Sequence, residues 1–155
     1  MSTEMTPRVS QLIETIENGQ LGLAEAAKRL AERGHPEMAS NFSQLSTQRE
    51  GFGDQLRVLN GASDEVANTD GTTPGRLHRG WITIADAITG DSPVALLKTV
   101  VEGEAHAISE YEHALEADLA AEMRQAIDLQ LVSIKTSHKL AVALLTQSQA
   151  MKRST

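Results

Sequence analysis

The chain has 155 residues, 40% of them hydrophobic, and a net charge of −7. That fits one compact domain spanning residues 1–155, and it argues against nucleic acid or an anionic membrane as a general partner, since both are held by clustered Lys and Arg. No cysteine is present, which excludes disulfides, thiolate metal sites and a cysteine nucleophile together. Aromatic residues make up only 3%, too few to stack a run of bases.

The first twenty residues carry Glu4, Glu14 and Glu17 and lack a basic, then apolar, then small-residue order. No signal peptide is therefore expected. With no cysteine and no run approaching the roughly eighteen apolar residues of a membrane span, the expected location is cytoplasmic. Ala, Leu, Glu and Gln are frequent and β-branched residues scattered, which predicts an all-α chain.

Met1 to Thr6 reads as a frayed lead-in, with Thr6 and Pro7 as an N-cap and first-turn pair. The first helix is predicted from about Pro7 to Arg33, with Val9, Ile13, Ile16, Leu23, Ala27 and Leu30 as its apolar stripe. Gln20 interrupts that stripe, and Gly34 ends the helix. A second helix is predicted from about Pro36 to Leu59, carrying Met38, Phe42, Leu45, Phe52, Leu56 and Leu59, with Arg49 breaking the row. From Asn60 to Gly75 the chain is rich in turn residues. Leu77, Trp81, Ile84 or Ala85, and Ile88 suggest a shorter helix starting near Pro74 and stopping at Gly90.

Asp91 or Ser92 caps a third long helix that opens with Pro93 and ends near Ala117. Leu97, Val101, Ile108, Tyr111 and Leu115 form its stripe, and Glu104 stands where Leu or Ile would be expected. The last helix is predicted from about Leu119 towards Ala150, with Met123, Ile127, Ile134, Ala141 and Leu144 apolar and Gln130 and Ser137 interrupting. Four long helices with short, long and short links predict a four-helix bundle with one crossover, the shorter helix riding in it.

A Glu in the middle of a buried stripe needs a partner, because an unpaired interior charge is too costly. Residues equidistant from a tight turn lie side by side in an antiparallel pair. That places Gln20 level with Arg49 and Glu104 level with Gln130. If the hairpins pack in register, Gln20, Arg49, Glu104 and Gln130 share one cross-section, a neutral set in which Arg can grip Glu with both ends. A two-metal carboxylate site needs about four carboxylates and two His instead.

Glycines Gly19, Gly22, Gly51, Gly53 and Gly103 lie within predicted helices. Each costs about 1 kcal/mol relative to Ala. They are expected to thin the helices around bulky neighbours, with a bend or a subunit contact as the alternatives. On the far side of the third helix, Glu102, His106 and Glu110 follow four-residue steps. Glu and His so spaced can chelate a cation, and a solvated charged face is the simpler reading.

Several segments carry a resemblance as well: Leu12-Ile13-Glu14, Asn18-Gly19, Gln48-Arg49 with Phe52, Leu77-His78-Arg79-Gly80-Trp81, Glu102-Gly103-Glu104, Tyr111, and Gln130 with His138. In these the chain resembles the ferritin-like bundles of the family catalogued as domain of unknown function 2383. It departs at Asn18, where Asp is usual, and at Leu23, where an aromatic is usual. The resemblance implies a ferritin-like fold and brings no established activity. Set beside iron-handling ferritins, Gln20 stands at the first-helix Glu, and Gln48 and Gly51 stand at the Glu-x-x-His pair. Glu104 keeps the third-helix Glu and Gln130 resembles the fourth-helix Gln. One charged ligand survives, which implies that the ferroxidase centre is not intact.

The expectation is a non-catalytic, self-associating bundle with a binding or stress-related structural role and no cofactor. One alternative is an iron-binding or di-iron oxidase relative, with Glu104 helped by Glu102, Glu17, Glu50 or His106. The other is a helical adaptor holding a partner helix in an exposed groove.

Overall fold

The structure, a computed structural model, describes residues 7–61 and 92–154. Four α-helices account for nearly all of them: α1 (Pro7–Glu32), α2 (Pro36–Leu59), α3 (Pro93–Ala114) and α4 (Ala121–Ser154). No strand occurs among the described residues. The short helix expected between Pro74 and Gly90 lies outside them, as do Met1–Thr6 and Thr155.

The helix ends follow local chemistry. Proline occupies the first turn of α2 and of α3, where its missing N–H has no intrahelical partner to lose. The Ser92 side chain accepts a 3.1 Å hydrogen bond from the Val94 N–H and caps α3. At the end of α1, Gly34 has φ +82°, and the His35 N–H reaches back to the Leu30 carbonyl at 2.9 Å. That combination of a left-handed residue and a six-residue return bond closes the helix. The α3–α4 link is fastened by Arg124, whose two terminal nitrogens each donate at 2.9 Å, to the carbonyls of Leu115 and Ala117. α3 stops at Ala114 and α4 starts at Ala121, both slightly later or earlier than the predicted junction at Ala117 to Leu119, because Arg124 satisfies the trailing carbonyls without a continuous helix.

α1 packs against α2 and α3, and α4 against α3 and more narrowly against α2. Arg8 at the start of α1 donates to the His113 carbonyl at the end of α3, so these two helices are antiparallel. α2 and α3 therefore run parallel, and the end of α2 and the start of α3 lie at opposite ends of the bundle. The connection between them is the long crossover that the pattern of links requires.

The core consists of two apolar clusters. One holds Val9, Ile13, Ile16, Leu56, Ala107, Ile127 and Ile134; the other holds Leu23, Leu30, Phe42, Leu97, Val100 and Ala141. Each helix crosses from one cluster to the other over a gap, and a glycine or polar group occupies the middle of it: Gly19, Arg49, Glu104 and Ser137. The buried face of α3 is Leu96, Leu97, Thr99, Val100, Glu104, Ala107, Tyr111 and Ala114, so Val101, Ile108 and Leu115 of the expected stripe sit half-buried at its margin. The small residues Ala107 and Ala114 turn inward because α3 must approach both α1 and α4.

Two of the helical glycines have their neighbours close at hand. A Cβ at Gly19 would lie 3.6 Å from Arg49 Nη1, and one at Gly53 would lie 3.6 Å from the Ile16 side chain. Gly51 is different, being exposed with nothing within 4 Å. Gly51→Ala should therefore raise stability by about 1 kcal/mol, the helix-propensity difference alone. Gly34→Ala should lower it by about 1–2 kcal/mol, since a side chain is strained at positive φ. Urea unfolding of both variants checks the pair of opposite signs.

Candidate functional site

The middle of the bundle is a buried polar layer built on one contact. Arg49 on α2 is 1% exposed and Glu104 on α3 is 2% exposed. Arg49 Nη1 donates to one carboxylate oxygen of Glu104 and Nη2 to the other, both at 2.6 Å. This two-point geometry is the strongest pairing a guanidinium makes. Arg49 Nη2 also donates to the Ser137 hydroxyl on α4 at 2.7 Å. The Ser137 hydroxyl lies 2.5 Å from Glu104 Oε2 and 2.9 Å from the Ile134 carbonyl, and its single proton serves one of the two at a time. Arg49 Nε, Asn18 Oδ1 and Gln48 Oε1 are buried without a hydrogen-bond partner among the described residues.

Seven residues along α3 lies a second layer. The Tyr111 hydroxyl donates to Gln130 Oε1 at 2.7 Å. The Gln130 amide donates in turn to Gln55 Oε1 at 2.8 Å and to the Phe52 carbonyl at 3.3 Å. Tyr111 is fully buried. Loss of water around the phenol pushes its pKa far above the ordinary value; the Arg49 charge draws it down and the Glu104 charge raises it further.

Two of the expected neighbourhoods differ from the sequence reading. Gln130 is not level with Glu104: it belongs to the Tyr111 layer, and Ser137 takes the place opposite Glu104. Counting outward from the centre of the α3–α4 link assumes a symmetric tight turn, and the actual hairpin is offset by one heptad. Gln20 is half-buried, and its contribution near this level is its backbone carbonyl, which accepts from the Ser46 hydroxyl at 2.8 Å. Gly19 is the α1 residue beside Arg49, because the guanidinium needs the space that a side chain would fill.

The carboxylates and the histidine expected to assist Glu104 are placed elsewhere. Glu102, Glu50 and His106 are exposed. Glu17 is half-buried and ion-paired with Arg57, which also donates to Asp54 at 2.7 Å. Among the described residues, no group of three or more His, Cys, Asp or Glu could hold a metal ion. His35 and His138 are half-buried, and His78 and Arg79 lie outside the described residues. Sequence reasoning marked Ser137 as an interruption without giving it a partner, and it counted Tyr111 as apolar. The seven-residue spacings from Glu104 to Tyr111 and from Gln130 to Ser137 were the available signal.

Glu104→Gln should cost about 3–5 kcal/mol in urea unfolding, because it leaves the Arg49 charge buried without its counter-charge. Replacing both partners, Arg49→Met with Glu104→Met, should recover most of that loss, since no charge is then buried. Tyr111 is the only tyrosine, so its titration can be followed cleanly. Below the unfolded-state value of 10.0 the phenol is protonated in both states and contributes no pH dependence. Above it the unfolded chain ionises and the folded chain does not, so stability should fall. Phenolate absorbance should therefore appear only as helical circular dichroism is lost, and ionisation of the still-folded protein near pH 10 would contradict the buried phenol.

No helix among the described residues is long and apolar enough to cross a membrane. No curated protein and no solved structure matches the chain. The family described as Domain of unknown function (DUF2383) matches residues 5–117, which covers α1 to α3 and with them Arg49, Glu104 and Tyr111. The chain belongs to that family.

Proposed function

We propose that the protein is a non-catalytic, ferritin-like helical bundle that self-associates and serves a structural or binding role. The observation that carries this reading is the two-point contact between Arg49 and Glu104. At the centre of a metal-binding bundle, inward carboxylates and histidines are neutralised by the ions they hold. Here the chain supplies its own cation at that place, and both oxygens of the one central carboxylate are engaged. An incoming metal would have to displace Arg49 and leave a guanidinium buried without a counter-charge, a cost of several kcal/mol. The layer is therefore suited to holding helices in place and poorly suited to binding an ion.

Support for self-association comes from the surface. Val58 on α2 and Leu129 and Val132 on α4 are large apolar side chains left more than half exposed. A Cβ at the exposed helical glycine Gly51 would likewise meet none of the described residues within 4 Å.

Anaerobic ferrous titration followed by oxygen tests the non-catalytic part. The expected result is no stoichiometric uptake and no absorbance change on oxidation; stoichiometric binding would favour the di-iron alternative. Light scattering over a concentration series tests the other part. The expected mass is a multiple of the 16.7 kDa chain, and a constant monomer mass would remove self-association.

A further inference from the structure

We infer that the two buried polar layers form a register key that selects one alignment of α4 among alternatives that all keep its central inward row apolar. Ile127, Ile134 and Ala141 are each fully buried and recur every seven residues. Sliding α4 along the bundle by one heptad, about 10.5 Å at 1.5 Å per residue, returns an apolar residue to most of the inward places on this row. The apolar row is therefore blind to such a slide in polarity, though not in volume, since Ile134 would take the place of Ala141 and Ala120 that of Ile127.

The second inward row of α4 is not. It reads Met123, Gln130, Ser137 and Leu144 at the same spacing. In the observed alignment Ser137 faces Glu104 and Gln130 faces Tyr111. Both polar residues of α4 thus meet the two polar residues of α3, themselves seven apart. A slide of one heptad would put Gln130 opposite Glu104, Met123 opposite the Tyr111 hydroxyl, and Ser137 opposite Leu97. A slide the other way would put Leu144 opposite Glu104. Each shift leaves a buried hydroxyl or carboxylate facing an apolar side chain, and unpaired interior polar groups are costly. The key also reaches α2, since Ser137 accepts from Arg49 and Gln130 donates to Gln55. Moving α4 alone breaks these contacts as well.

The link between α3 and α4, fastened by Arg124 in the observed alignment, is long enough to reach another. The six residues between Ala114 and Ala121 are enough for a more symmetric turn, which is the alignment that counting from the link selects.

The absence of cysteine makes the alignment measurable with introduced thiols. Glu112 and Lys135 are exposed and their side chains approach to 3.8 Å across α3 and α4. A Glu112→Cys/Lys135→Cys pair therefore reports the observed alignment. A Glu112→Cys/Asp128→Cys pair, one heptad away on α4, reports the shifted one. In the wild-type background a short bis-maleimide should join the first pair faster than the second by about tenfold or more, the population ratio that one unpaired buried polar group imposes.

The key is then moved rather than removed. Met123→Gln with Gln130→Ser and Ser137→Leu rewrites the polar row one heptad towards the start of α4. The preference should reverse, with the 112–128 pair joining faster. Retention of the 112–135 preference in the folded triple variant would overturn the proposal. A second variant, Gln130→Leu with Ser137→Ala, erases the α4 half of the key and decides the matter if the triple variant does not fold. It should prefer the 112–135 pair by a smaller factor than the wild type does, and an unchanged factor would again overturn the key.

Discussion

The contact on which this structure depends is the doubly bonded pair of Arg49 and Glu104. Neither side chain could be buried alone, and each is nearly inaccessible to water. Once they are placed together, they dictate what surrounds them. Gly19 leaves room for the guanidinium, Ser137 bridges the pair from α4, and the apolar core divides into a cluster on either side. A helix interior that would be continuous hydrocarbon is instead interrupted at the same height on all four helices.

Such a pair adds little net stability, because desolvation of two ions offsets most of their attraction. What it adds is selectivity. Apolar contacts are non-directional and tolerate a change of partner of similar size. The Arg49–Glu104 geometry tolerates none, since two nitrogens must meet two oxygens in one plane. The Tyr111–Gln130–Gln55 chain is directional in the same way, each hydroxyl or amide hydrogen having one acceptor aimed at it. Together they tie α3 and α4 to each other and both to α2, whose contact with α4 is narrow.

The same geometry bears on function through what it withholds. The central carboxylate has a cation already bound to both of its oxygens, and its sequence neighbour Glu102 points to solvent. Glu17, the α1 carboxylate nearest this level, is held by Arg57. The chain's own positive charges thus occupy the groups that could otherwise have gathered around an ion. This arrangement makes the interior a fixed brace, and it directs attention to the outer surface, where Val58, Leu129 and Val132 remain exposed.

Much of the fold was legible in the amino-acid sequence because it is written in local chemistry. Four long helices, the prolines that open three of them, the glycine that closes α1 and the polar interruptions at Arg49, Glu104, Gln130 and Ser137 all follow from spacing and backbone preference. The same local rules placed Arg49 near the α1 residues opposite it, since the Gly34 turn is tight and nearly symmetric. They could not say whether Glu104 meets Gln130 or Ser137. Those two residues are seven apart on one helix face, and the apolar residues around them repeat at the same interval. Only the packed bundle decided between them, because only there do the buried Tyr111 hydroxyl and the buried Arg49 guanidinium require partners at the same time.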